Sequence, residues 1–213
     1  MPRPSGVAKS KLKSIYSVHP GIRMMQGWIP TLRVKTGKSL EEWLKLIKNE
    51  GPASEADRFD WLKSKHGLGT NTASWLARLV DGRNLEEEDP DGYLRAAERY
   101  VQAMFAGPKE QLRPIYARLL QLGLAIATDV KACPCKTIVP LYRNHVFAQR
   151  KPTARTRVGL RLALGRTKTP KRLINTGGLE KGARITHRIP IETLNDIDRD
   201  VERWLRVAYD LDA

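Results

Sequence analysis

The chain has 213 residues, 38 Lys+Arg against 23 Asp+Glu, a formal net charge of +15, and 41% hydrophobic residues including five tryptophans. That is enough chain and apolar content for one large or two small folded domains, which excludes a disordered polymer. The longest apolar stretch, residues 119–128, is interrupted by Gln121 and is too short for the roughly 20 residues of a membrane span.

The basic N-terminus lacks the apolar core of a signal peptide, so a cytoplasmic location without membrane association is expected. Two cysteines, Cys133 and Cys135, make no disulfide framework. The charge excess is concentrated: residues 1–36 carry +7 and residues 131–188 carry +14, with Glu180 the one acid of the latter block. Such segregation points to a polyanionic partner, nucleic acid first.

Residues 1–17 read as a flexible basic arm. A short helix is expected from Pro20 to Trp28, ending near Pro30. Ser39-Leu40-Glu41-Glu42 is a capping box that opens a second helix, on which Leu40, Trp43, Leu44 and Ile47 form one apolar stripe. Gly51-Pro52 stops it. Residues 55–65 predict a third helix with Phe59 and Leu62 inward. A hairpin at 66–69 leads to a fourth, residues 70–80, with Ala73, Leu76, Leu79 and Val80 inward.

The acidic run at 86–91, which includes Pro90, predicts a linker. Leu94, Ala97, Val101 and Met104 mark a helix closed by Gly107-Pro108. Another begins near Pro114, a residue tolerated in a first helical turn, with Ile115, Leu119 and Leu122 inward.

After Lys131 the period changes from helical to alternating. Val158, Leu160, Leu162 and Leu164 alternate with Arg157, Gly159, Arg161 and Ala163, and Ile185, His187 and Ile189 alternate with Arg184, Thr186 and Arg188. Further strands are expected at 136–142, 144–149 and 172–175, giving an antiparallel meander. A last helix, residues 196–209, sets Ile197, Val201, Trp204, Leu205 and Ala208 on one side. The expected fold class is α+β, an all-α module followed by an antiparallel sheet flanked by helices. The expected domains are the arm 1–17, a helical domain 18–85 and an α+β domain 86–213.

The segment Gly67-Leu68-Gly69-Thr70-Asn71-Thr72-Ala73 resembles the turn of helix-hairpin-helix DNA-binding modules. Glycines allow a tight turn and close approach of a phosphate, and the first N–H groups of the following helix favour an anion. Lys63 and Lys65 precede the turn. The competing reading is a plain connection between packed helices. Thr36-Gly37-Lys38-Ser39 lacks the first glycine of a P-loop, with Leu32 in its place, so it reads as the helix start alone.

In the second half, alternation sets Arg155, Arg157 and Arg161 on one strand face and gives Arg184 and Arg188 the same relation to their neighbours. One basic face is expected, joined by Arg143 and ringed from loops by Arg150, Lys151, Arg166, Lys168, Lys171 and Arg172. Tyr142 and Phe147 are the few aromatics for base stacking. Asn175-Thr176-Gly177-Gly178 reads as a turn or an anion nest. Cys133-Pro134-Cys135 misses zinc spacing, and the basic block lacks the clustered carboxylates of a metal nuclease. No cofactor, metal or catalytic residue is therefore expected.

At TGKSLEEWLKLIK and WLKSKHGLGTNTASWLA the chain resembles a small helical bacterial family classed as a domain of unknown function. NHVFAQRKP, INTGGLEKGARITHRIP and WLRVAYDLDA resemble a second such family, which often follows the first and whose members also occur attached to nuclease-associated or transport-labelled proteins. Neither resemblance implies a reaction.

The expectation is a non-catalytic nucleic-acid-binding protein, DNA before RNA, contacting phosphates through the hairpin and the arginine face. Two other classes stay open: an enzyme or receptor for a small phosphorylated ligand, and an adaptor for an acidic protein partner.

Overall fold

A computed structural model describes residues 13–81, 89–168, 170 and 172–213. Most of the expected arm, half of the expected acidic linker and Lys171 lie outside these. The chain is α+β, and it divides into two compact units. One runs from Val18 to Arg95; the other joins residues 13–17 to residues 96–213.

The first unit contains α1 (Pro20–Thr36), α2 (Leu40–Glu50), α3 (Glu55–Ser64), α4 (Thr70–Leu79) and the start of α5 (Pro90–Met104). Helix α1 does not stop at Pro30 but runs on to Thr36. Proline removes one ladder hydrogen bond, and beside it the Thr31 hydroxyl donates to the carbonyls of Trp28, at 3.1 Å, and Gly27, at 3.4 Å. Leu32 is buried, so packing of the second half outweighs the local defect. The helix ends where Gly37 takes φ +79°.

Ser39 and Glu42 form the expected capping box: the Ser39 N–H donates to Glu42 Oε2 at 2.6 Å and the Glu42 N–H to Ser39 Oγ at 3.2 Å. Leu32, Trp43, Ile47, Leu62, Leu68, Ala73 and Leu76 make one apolar core. Arg58 is buried, and its guanidinium grips Asp81 through two bonds of 2.6 Å.

The second unit takes the rest of α5, a 3-10 turn at Gly107–Leu112 and α6 (Arg113–Leu124). Six strands follow: β1 (Lys131–Ala132), β2 (Val139–Tyr142), β3 (Val146–Ala154), β4 (Arg157–Leu162), β5 (Ile174–Asn175) and β6 (His187–Ile191). They form one antiparallel sheet in the order β1-β2-β3-β4-β6-β5. The meander holds through β4. β6 rather than β5 then lies beside it, because β6 buries His187, Ile189 and Ile191 whereas both residues of β5 are exposed.

A register shift opposite Leu141 and Tyr142 gives β3 one extra residue, so the neighbours Phe147 and Ala148 are both fully buried. Gly123 lets α6 approach the sheet, since a Cβ there would collide with Leu141. The last helix, α7 (Arg199–Asp210), starts three residues later than expected. Asp196 instead caps a preceding 3-10 turn, accepting from the N–H groups of Glu192 and Thr193, each at 2.8 Å, and Asp198 caps α7.

Candidate nucleic-acid interface

In the first unit the turn between α3 and α4 is built around one buried side chain. Leu68 is buried while Gly67 and Gly69 are exposed. Backbone bonds from the Gly67 N–H to the Lys63 carbonyl and from the Leu68 N–H to the Leu62 carbonyl, both 3.1 Å, close α3. Gly67 sits at φ +65°, a conformation that disfavours any residue with a Cβ.

Gly69 is the N-cap of α4, with φ −63° and ψ 151°. Among the described residues no side chain bonds the N–H groups that open this helix, and its first turn holds no acid. Thr70 and Asn71 are exposed, Thr72 is half-buried, and Lys63 and Lys65 are exposed on the same turn. The two ammonium groups lie over aromatic rings, Lys63 5.2 Å from the centre of Phe59 and Lys65 5.6 Å from that of Trp61. His66 is packed edge-on between Trp43 and Trp61, at 5.3 and 4.3 Å. Burial, with Lys65 and Lys38 nearby, lowers its pKa, so it adds no positive charge at neutral pH. The hairpin thus brings Lys63, Lys65, Gly67, Gly69, Thr70, Asn71 and Thr72 to one site with unspent backbone donors.

The expected arginine face is smaller than its sequence pattern. On the face opposite the core, Arg161 stands between Gln149 and Arg188 on the neighbouring strands, and Lys151 pairs across with Gly159. Arg161, Arg188 and Lys151 are half-buried there. Five expected members of the face and its ring are placed differently. Arg155 lies in the turn between β3 and β4 rather than on the strand. Arg157 is on the strand but held by Glu192 at 2.6 Å.

Arg184 precedes β6; it donates to the Val146 carbonyl at 3.1 Å and pairs with Asp212. Arg143 stacks 4.4 Å from the centre of the Tyr209 ring, with Asp129 at 3.5 Å. Arg172 pairs with Asp198. The acids come from residues 189–213, which hold seven acids against three arginines, and from Asp129, remote in sequence and adjacent in space.

Two further expectations are corrected. Arg150 is not in a loop: β3 runs through it and turns it to the core side, where it is fully buried. Phe147 packs edge-on against Tyr209 at 5.6 Å inside the core and offers no base-stacking surface. The Asn175–Gly178 segment is a turn: the Gly177 N–H donates to Asn175 Oδ1 at 2.7 Å, and Gly178 is pressed against the Ile185 carbonyl, where no Cβ fits. Cys133 is buried, and the Cys135 thiol donates to the Cys133 carbonyl at 3.7 Å.

Sequence reading missed the cluster at Asp212. This carboxylate, 3% exposed, accepts from the His145 N–H at 2.8 Å, lies 3.1 Å from His145 Nδ1 and also receives Arg184. The Asn144 side chain donates to its carbonyl at 2.9 Å. The Asn-His pair of NHVFAQ, Arg184 and the aspartate of the DLDA ending are thus parts of one lock between the β2–β3 turn and the end of α7. A groove of about 430 Å³ beside α6 and α7 is lined by Leu122, Ile126, Arg199, Glu202, Arg203 and Arg206.

Residues 101–212, just over half of the chain, match the family described as a domain of unknown function, DUF5655. The chain belongs to the DUF5655 family. Ahead of that domain, residues 25–82 match a second domain of unknown function, DUF4287. The two stand in tandem, and neither carries an assigned activity. No curated protein and no solved structure matches the chain.

Proposed function

We propose that the protein is a non-catalytic nucleic-acid-binding protein that holds DNA backbone phosphates at the hairpin between α3 and α4. The observation that carries this reading is the uncapped, acid-free N-terminus of α4, exposed behind Gly67 and Gly69 and flanked by Lys63 and Lys65. A helix start with unspent N–H groups and nearby cations is an anion site by its own electrostatics. Arg161, Arg188 and Lys151 add a second, shorter basic row, and the net charge of +15 favours encounter with a polyanion.

Contacts of this kind read no base edges, so binding is independent of sequence and steeply salt-dependent. A gel-shift series with duplex DNA, single-stranded DNA and RNA at several salt concentrations tests it. Duplex DNA of any sequence is expected to bind, and affinity to fall linearly on a log–log plot against salt. No binding at low salt, or affinity indifferent to salt, overturns the proposal.

A further inference from the structure

In the second unit the guanidinium of Arg150 is fully buried, and none of its three nitrogens has a hydrogen-bond partner among the described residues. Its register neighbours across the sheet are Val139 and Leu160, both fully buried and apolar. The guanidinium carbon lies 5.7 Å from the centre of the Tyr116 ring. Burial pulls the pKa of Arg150 down to about 10, which leaves it charged at neutral pH. A ring face attracts a cation but accepts none of its five N–H bonds in full. An uncompensated buried charge is strongly unfavourable, and water can satisfy its donors without neutralising it.

Two phenols, Tyr116 and Tyr16, act on it electrostatically. Tyr16 and Tyr116 are buried, and their hydroxyl oxygens stand 3.0 Å apart. One hydroxyl proton is spent on that bond, so the other has no acceptor among the described residues. Burial raises the pKa of both phenols, so both keep their protons. The Glu98 carboxylate is not bonded to Arg150; it accepts from the Ser14 hydroxyl at 3.1 Å. One guanidinium and one spare hydroxyl, beside the apolar Val139 and Leu160, are a donor set for an oxyanion.

We propose that Arg150, Tyr16 and Tyr116 form a buried receptor for one small oxyanion, a phosphate or carboxylate group, distinct from the DNA-contacting hairpin. Tyr16 is held by its hydroxyl bond to Tyr116, and its segment by the Ser17 N–H on the Ala132 carbonyl at 2.8 Å and Ser14 on Glu98, and entry of an anion requires these to open.

The test uses the full chain, with inorganic phosphate and acetate titrated separately against sodium chloride at matched ionic strength. Binding is read from the Arg150 Nε–H resonance, assigned by its loss in Arg150→Met, and from the thermal midpoint. One of the two anions is expected to move that resonance saturably and to raise the midpoint, and which of them does so names the source. Arg150→Met keeps the side-chain volume and removes the charge, so it is expected to fold and to lose the response. Arg150→Lys, which keeps the charge but not the fork, is expected to bind at least tenfold more weakly.

Lys63→Gln with Lys65→Gln separates this site from the hairpin: it is expected to weaken DNA binding and leave the Arg150 response unchanged. A resonance that neither anion moves, or a midpoint response that survives in Arg150→Met, overturns the proposal. The resonance measurement needs no folded variant beyond its assignment, which Arg150→Lys also provides.

Discussion

Replacing Gly69 by aspartate separates what the hairpin does for stability from what it does for binding. Gly69 already has the extended backbone of an N-cap, and a Cβ added there meets nothing within 4 Å. An aspartate in that position folds its carboxylate back onto the first free N–H groups of α4. Relative to glycine the cap contributes a few tenths of a kcal/mol, and the charge at the helix start about 0.3–1 kcal/mol more.

The variant is therefore expected to be slightly more stable than the parent in urea unfolding. In the proposed function the same N–H groups hold a phosphate, and a charged hydrogen bond of this kind is worth about 1.5–3 kcal/mol. At about 1.4 kcal/mol per tenfold, the dissociation constant for duplex DNA should rise about ten- to hundredfold. Gel shift at fixed low salt measures the affinity, and circular dichroism during urea unfolding measures the stability. A folded Gly69→Asp protein that binds DNA as tightly as the parent refutes the argument.

Two other outcomes follow from the second unit. Arg161→Gln with Arg188→Gln removes the two arginines that face each other across β4 and β6, and is expected to flatten the salt slope for duplex DNA by about 1–2 units; an unchanged slope removes the sheet face from the interface. His187 is 1% exposed and burial lowers its pKa. The unfolded chain takes up a proton below about pH 6.5 where the folded chain does not, so stability is full above that pH and falls as pH drops through the lowered folded value. Urea midpoints followed by circular dichroism from pH 8 to 5 should fall less in His187→Phe than in the parent; identical slopes would assign the acid sensitivity elsewhere.

The helical half was legible because its signals are local. The Ser39 box, the stripe of Trp43 and Ile47, and the glycines at 67 and 69 act within one or two turns, and each appears in the structure with the expected geometry. Helix α1 shows the limit of local signals: Pro30 weakens one bond, but Leu32 is buried in a core whose next buried member, Trp43, lies well beyond the end of the helix. Strand ends were less legible. Period-2 alternation identifies a half-buried strand without stating how far its partner extends, so β3 continued through Arg150 to Ala154 once β4 was there to pair with it.

Composition and periodicity by themselves determined the α+β class, the order of the helices and of every strand but β1, the buried rows of β4 and β6, and the hairpin. Charge was different. The block 131–188 is +14 in sequence, yet Arg157, Arg172 and Arg184 meet Glu192, Asp198 and Asp212, and Arg143 meets Asp129. Which arginines remain for a ligand, and that Arg150 lies buried with no hydrogen-bond partner among the described residues, only the tertiary structure decided. Coulomb attraction depends on distance in space and on the local dielectric, and neither is written in the spacing of residues along a chain.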